Sequence, residues 1–167
     1  MADLIAAEHG ITQLHARYVD AVWREDFESF GDCFTEDCEW RIFGHVYRGR
    51  EEVCEMMRGV IKRVTRIMIT LRSPVFGVFE GSVCARAYFT EQSRLVTGQP
   101  LLLLGTNYAR YAETAGRWRF DWRLFDIDYM GGPDFSGQYF DNPDYGPAPA
   151  MPPLDAIPVD HRRSVQM

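Results

Sequence analysis

A chain of 167 residues, 46% of them hydrophobic and 14% aromatic, can bury a sizeable core in one domain, and its formal charge of -6 argues against a general nucleic-acid or anionic-membrane surface, which needs clustered cations. Cys33, Cys38, Cys54 and Cys84 show neither a CxxC pair nor Cys/His ligand spacing, which reads as reduced, buried thiols and no metal site. The sequence begins without a basic stretch followed by an apolar one, and no run reaches membrane-spanning length, so the expected compartment is the cytoplasm.

Ile11, Leu14, Tyr18 and Val22 fall at helical spacing and predict an amphipathic helix, with His15 at the edge of its apolar stripe and Asp20 on the solvated side. A second, shorter helix is predicted over Phe27 to Phe34, with Asp26 as its N-cap. Cys38 to Phe43 alternates as a strand, followed by a turn at Gly44-His45 and a short strand from Val46 to Arg48. A third helix then carries Val53, Met56, Met57, Val60 and Ile61 on one stripe.

Thr65 to Phe79 is rich in β-branched and aromatic residues, and Pro74 within it marks an edge or a bulge. Ser82 to Leu95 reads as a long strand whose one face, Val83, Ala85, Ala87 and Phe89, is small enough to leave room for a cavity. Leu101 to Tyr111 and Gly116 to Tyr129 form a long hairpin. Period two along its second arm turns Trp118, Phe120, Trp122 and Leu124 to the core. After Tyr129 the sequence loses both periods and becomes rich in Gly, Pro and aromatics; Phe135, Tyr139, Phe140 and Tyr145 are expected to anchor it on its own surface or a neighbour's.

The stretches ITQLHARYVDAVWREDFESFGDCFTEDCEW, VYRGREEV and GTNYARYAETAGRWRF, in that order, resemble the SnoaL-like branch of the nuclear-transport-factor-2-like superfamily, over residues 8 to 130. The branch includes scytalone dehydratase, polyketide cyclases and hexachlorocyclohexane dehydrochlorinase. The resemblance implies an α+β cone, with three N-terminal helices packed on a strongly bent, mostly antiparallel sheet around an apolar pocket. It also implies a cone domain over residues 1–130 and an irregular tail over 131–167, packed on the domain or on a neighbouring subunit.

In the dehydratase and dehydrochlorinase members an Asp at the end of the first helix supports a proton-abstracting His on the third strand. Those positions fall here at Trp23 and at Met68 to Thr70, so neither residue type is kept. Trp40, Tyr47 and Arg123 match family pocket positions, and Asn107 stands where an aromatic is usual. The resemblance further turns Arg123, Phe125 and Ile127 toward the cavity, against the face that periodicity gives for this strand.

These readings predict a cofactor-independent lyase, isomerase or cyclase acting on a small hydrophobic molecule, polyketide-, steroid- or aromatic-like, in an apolar pocket. Tyr18, His45 and Arg123 are the expected catalytic residues, Arg123 for its permanent charge and planar fork, with His15, Asp126 and Asp128 behind them. Trp23, Trp40, Tyr47, Met68, Thr70, Phe89, Leu103, Asn107 and Phe125 are expected to contact substrate. The alternative is a non-catalytic small-molecule-binding or structural subunit that has lost the Asp/His pair. Expected partners are the small molecule and further copies of the chain, as a dimer or trimer, with no nucleic acid, membrane, metal or cofactor.

Overall fold

The computed structural model describes residues 4–141 and 143–146. Helix α1, Leu4–Arg24, buries Ala7, Ile11, Leu14, Tyr18, Ala21 and Val22, the predicted stripe extended by one further turn. His15 is buried with them. Helix α2, Phe27–Asp32, starts where Asp26 accepts from the Ser29 N–H at 3.0 Å, the predicted cap. Strand β1, Phe34–Ile42, turns through Phe43 and Gly44, both at positive φ, into β2, His45–Arg48, so His45 begins the strand. Helix α3, Arg50–Ile61, follows.

The run from Thr65 to Phe79 is two strands, β3 at Val64–Leu71 and β4 at Val75–Phe79, with Pro74 in the break between them. Each pairs antiparallel with β5, Ser82–Leu95. The long hairpin is β6, Pro100–Thr114, and β7, Arg117–Gly131, joined at Ala115 and Gly116, whose φ values of 52° and 71° match a tight two-residue turn. A last short strand, β8 at Gln138–Tyr139, pairs with the end of β7.

The sheet runs β2-β1-β7-β6-β5-β3, with β4 also on β5 and β8 on β7. The β1–β7 pair is parallel and the others antiparallel, and the sheet stays open. The three helices lie against its concave side, which gives the α+β cone.

Two register shifts in the β6–β7 hairpin decide which side chains face inward. Tyr111 pairs with Phe120 but Arg110 pairs with Trp122, so Asp121 is the extra residue of a β-bulge; a second shift skips Asp128. Phe120 therefore points into the main core, whereas Trp122 and Leu124 point to the convex face and bury there with Cys84 and Tyr108. Strict alternation from Trp118 to Leu124 is corrected by this bulge, and beyond it Arg123, Phe125 and Ile127 take the concave side. All four cysteines are free and buried.

Part of the predicted tail packs on its own chain. Tyr129 meets Phe135 and Tyr139, and the Tyr145 hydroxyl accepts from the Gly44 N–H at 2.8 Å. The expectations for the tail past Gly146, including its packing on a neighbour, lie outside the described residues.

Candidate active site

Along β5 the inward positions run Phe89, Glu91, Ser93 and Leu95. Opposite them stand Leu101 and Leu103 of β6, Phe125 and Ile127 of β7, Ile67 of β3, and Met56, Met57 and Val60 of α3. Tyr18, Trp40 and Phe89 lie at the inner end, while Phe43, His45, Tyr47 and Arg63 complete the wall of this cavity of about 440 Å³. It does not open beside the small residues Val83, Ala85 and Ala87, as expected from sequence; those are buried, and the space lies farther along the same strand.

Glu91 is the carboxyl of this cavity. The Ser93 hydroxyl bonds its Oε1 at 2.9 Å, and hydrocarbon makes up much of the surrounding wall. Burial pushes its pKa above the ordinary carboxylate value, with Ser93 opposing part of the shift. Its side chain keeps some solvent accessibility because the surface that water reaches is the cavity wall itself. Sequence reading missed Glu91, although a signal was present. One more step of the period-two pattern past Phe89 puts a carboxylate on an apolar strand face.

Tyr18 is 1% exposed and its pKa is raised by burial; Arg123 opposes that shift and the charge of Glu91 adds to it. It therefore stays a protonated hydrogen-bond donor within electrostatic reach of Glu91.

Arg123 lies behind the cavity wall. It is 0% exposed, and its guanidinium carbon sits 4.0 Å from the ring centre of Phe120, 4.3 Å from Tyr18, 4.5 Å from Trp40 and 4.6 Å from Phe125. Aromatic faces thus take the place of a counter-ion. Burial lowers its pKa and Tyr18 opposes that, but an arginine this basic remains a cation. Nη1 and Nη2 find no directed hydrogen bond, the Tyr18 hydroxyl acting chiefly through its field. Beside this group His15 Nε2 meets the Tyr111 hydroxyl at 2.8 Å, and burial with the Arg123 charge lowers the His15 pKa to about 3.

The remaining expected site residues divide cleanly. Tyr18, Trp40, Tyr47, Phe89, Leu103 and Phe125 line the cavity, and His45 stands exposed at its mouth. Asn107 is fully buried and holds Arg123. Trp23, Met68 and Thr70 do not reach the cavity. Trp23 is 53% exposed, donates to the Ile69 carbonyl at 3.2 Å, and with Thr70 borders an outer groove between α1 and β3. Met68 lies outward because alternation along β3 buries Ile67 and Ile69 instead. Asp126 is buried, on the strand position between two inward residues. Among the described residues no three His, Cys, Asp or Glu side chains converge as a metal-ligand set, and no helix is long and apolar enough to cross a membrane.

Comparison with known proteins agrees with this architecture. A family model described as a SnoaL-like domain matches residues 3–123. The hexachlorocyclohexane dehydrochlorinase of Novosphingobium barchaimii is similar in structure at TM-score 0.71 and 19% identity, covering 84% of this chain and 98% of its own. A scytalone-dehydratase-like protein of Novosphingobium aromaticivorans is similar at TM-score 0.73 and 16% identity, over 94% of this chain and 100% of its own. A protein of unknown function from Mycobacterium tuberculosis is similar at TM-score 0.64 and 25% identity, over 71% and 74%. No curated protein matches the sequence. At such identities the likeness is one of fold.

Proposed function

The chain belongs to the SnoaL-like domain family, and from that premise we propose that it is a cofactor-independent lyase, isomerase or cyclase that moves a proton on a small hydrophobic molecule, polyketide-, steroid- or aromatic-like. The observation that carries the reading is Glu91, a carboxyl held by Ser93 in an apolar cavity, where desolvation raises its pKa above the ordinary carboxylate value. As a carboxylate it takes a proton from carbon; as the acid it returns one. Tyr18 donates to the substrate oxygen on which negative charge grows, and Arg123 behind it stabilises that charge without touching substrate. Trp40, Phe89, Leu103 and Phe125 exclude water.

The test uses 2-tetralone, a bicyclic enolisable ketone, in D₂O, with α-proton exchange followed by NMR. The protein accelerates exchange over buffer, and Glu91→Gln lowers the rate by about a hundredfold or more. Equal rates for the two proteins remove Glu91 from the mechanism.

A specific observation favours the alternative, a non-catalytic binding or structural subunit. The positions where the family resemblance expects the Asp/His pair hold the exposed Trp23 and the segment around buried Ile69. On that reading 2-tetralone enters the cavity and exchanges no faster than in buffer. We further propose a cytoplasmic homo-oligomer, dimer or trimer, built from a cone domain at residues 1–130 and a tail at 131–167. Exposed Val75, Val78 and Tyr88 support a contact surface on the sheet, and light scattering reads the mass.

A further inference from the structure

Resting on the reading of the cavity as a substrate site, we infer that its substrate is an acid: a flat hydrocarbon skeleton of about two fused rings whose carboxylate stays at the mouth against Arg63. The polarity of the cavity wall carries this. Glu91 is the one carboxylate among the described lining residues, and it sits toward the inner end, two residues from Phe89. The mouth is cationic or hydrogen-bonding instead, with Arg63 on one side and His45 and Tyr47 on the other. On a chain of net charge -6 that is a local reversal of sign.

Arg63 is also partly built into place. Its Nε donates to the Gly59 carbonyl at 3.2 Å, at the C-terminal end of α3, where helix carbonyls carry partial negative charge. Its own carbonyl accepts from the Val96 N–H at 3.0 Å, which ties down its backbone. Among the described residues no carboxylate pairs with it, so the Nη edge of the fork is open to a carboxylate from outside.

The spacing sets the ligand's length. Val64, next to Arg63, pairs with Leu95, four residues along β5 from Glu91, or about 13 Å. The Arg63 and Glu91 side chains reach into that backbone span from its two ends, and a two-ring skeleton fills the remainder with its reacting carbon at Glu91. The reverse orientation would press the ligand's carboxylate against Glu91 in an apolar surround, where like charges repel most strongly. Arg63 thus selects the acid and sets the end that enters first.

The test is calorimetric binding of 2-naphthoate and of methyl 2-naphthoate, which differ in charge but little in shape. The acid binds about tenfold tighter than the ester to the wild-type protein, and raised salt weakens only the acid. In Arg63→Gln the two bind within about twofold of each other and the ester's affinity is unchanged. Glu91→Gln keeps the preference for the acid. Equal affinities in the wild-type protein, or a preference that survives Arg63→Gln, overturn the inference and leave the proton-transfer reading standing. Failure of both probes to bind overturns the cavity as a substrate site.

Discussion

Nε of Arg123 donates to Oδ1 of Asn107 at 3.1 Å, and that is the directed hydrogen bond of a guanidinium with no carboxylate paired to it among the described residues. A buried cation with one neutral acceptor and a cage of rings is an expensive arrangement for stability alone.

Removing either partner therefore has opposite effects. Asn107→Ala strands the guanidinium and costs about 2–4 kcal/mol. Arg123→Met fills similar space without charge and is neutral, or stabilising by about 1–4 kcal/mol, while exchange of 2-tetralone protons slows. Urea denaturation of the two variants beside the exchange assay checks this. A large loss of stability in Arg123→Met would make the residue structural.

Glu91 gives the protein a pH dependence of known sign. Its folded pKa lies above the ordinary 4.5, so below that value both states are protonated and the group costs nothing. As pH rises through the folded value, the unfolded chain ionises freely while the folded one must hold a carboxylate in an apolar wall, and stability falls. Glu91→Gln removes this loss: its gain over wild type is larger at pH 8 than at pH 4, measured as the urea midpoint. A gain that does not change with pH contradicts the burial of this carboxyl.

His15 acts with the other sign. Its pKa falls from 6.5 unfolded to about 3 folded, so the unfolded state binds more protons between those values. Its contribution is complete above 6.5 and is lost as pH falls toward 3, several kcal/mol at about 1.4 kcal/mol per unit. His15→Gln, which can still bond Tyr111, flattens the stability profile between pH 6.5 and 4. The lowered Asp26, Asp32 and Glu39 act below the ordinary carboxylate range, whereas the raised Glu91 works against His15 within that window, so the profiles are compared in a Glu91→Gln background.

Gly105 allows β6 and β7 to pack at the cavity's inner end. A Cβ there would collide with the Asp126 carbonyl and come within 2.8 Å of the Phe89 ring, which stacks on Phe125 at 4.5 Å. Gly105→Ala costs about 1–3 kcal/mol or more and tilts that stack, so 2-naphthoate binding weakens with stability. Unchanged melting and binding would show that the strand yields.

The bent antiparallel sheet, the three helices and the two long hairpin arms were legible because each rests on local rules: helical spacing from Ile11 to Val22, an Asp cap before Phe27, alternation along β5 and β7. Helical spacing put Tyr18 on the inner stripe of α1, but it was the resemblance to SnoaL-like domains that put Trp40, Tyr47 and Phe125 in contention for the pocket. The local rules failed at Asp121, because a bulge adds one residue without any change in composition; pairing with β6 shows Trp122 turned outward and Arg123 inward, the side that the family resemblance had implied for Arg123. The family resemblance, in turn, failed for Trp23, Met68 and Thr70, where the helix end and the strand alternation turn the side chains away from the cavity. Glu91 and Arg63 reverse the case. Their residue types are ordinary in sequence, and it took the packing of β5 against β3 and α3 to put one in an oily interior and the other at its entrance, since desolvation and charge separation are properties of surroundings assembled from distant parts of the chain.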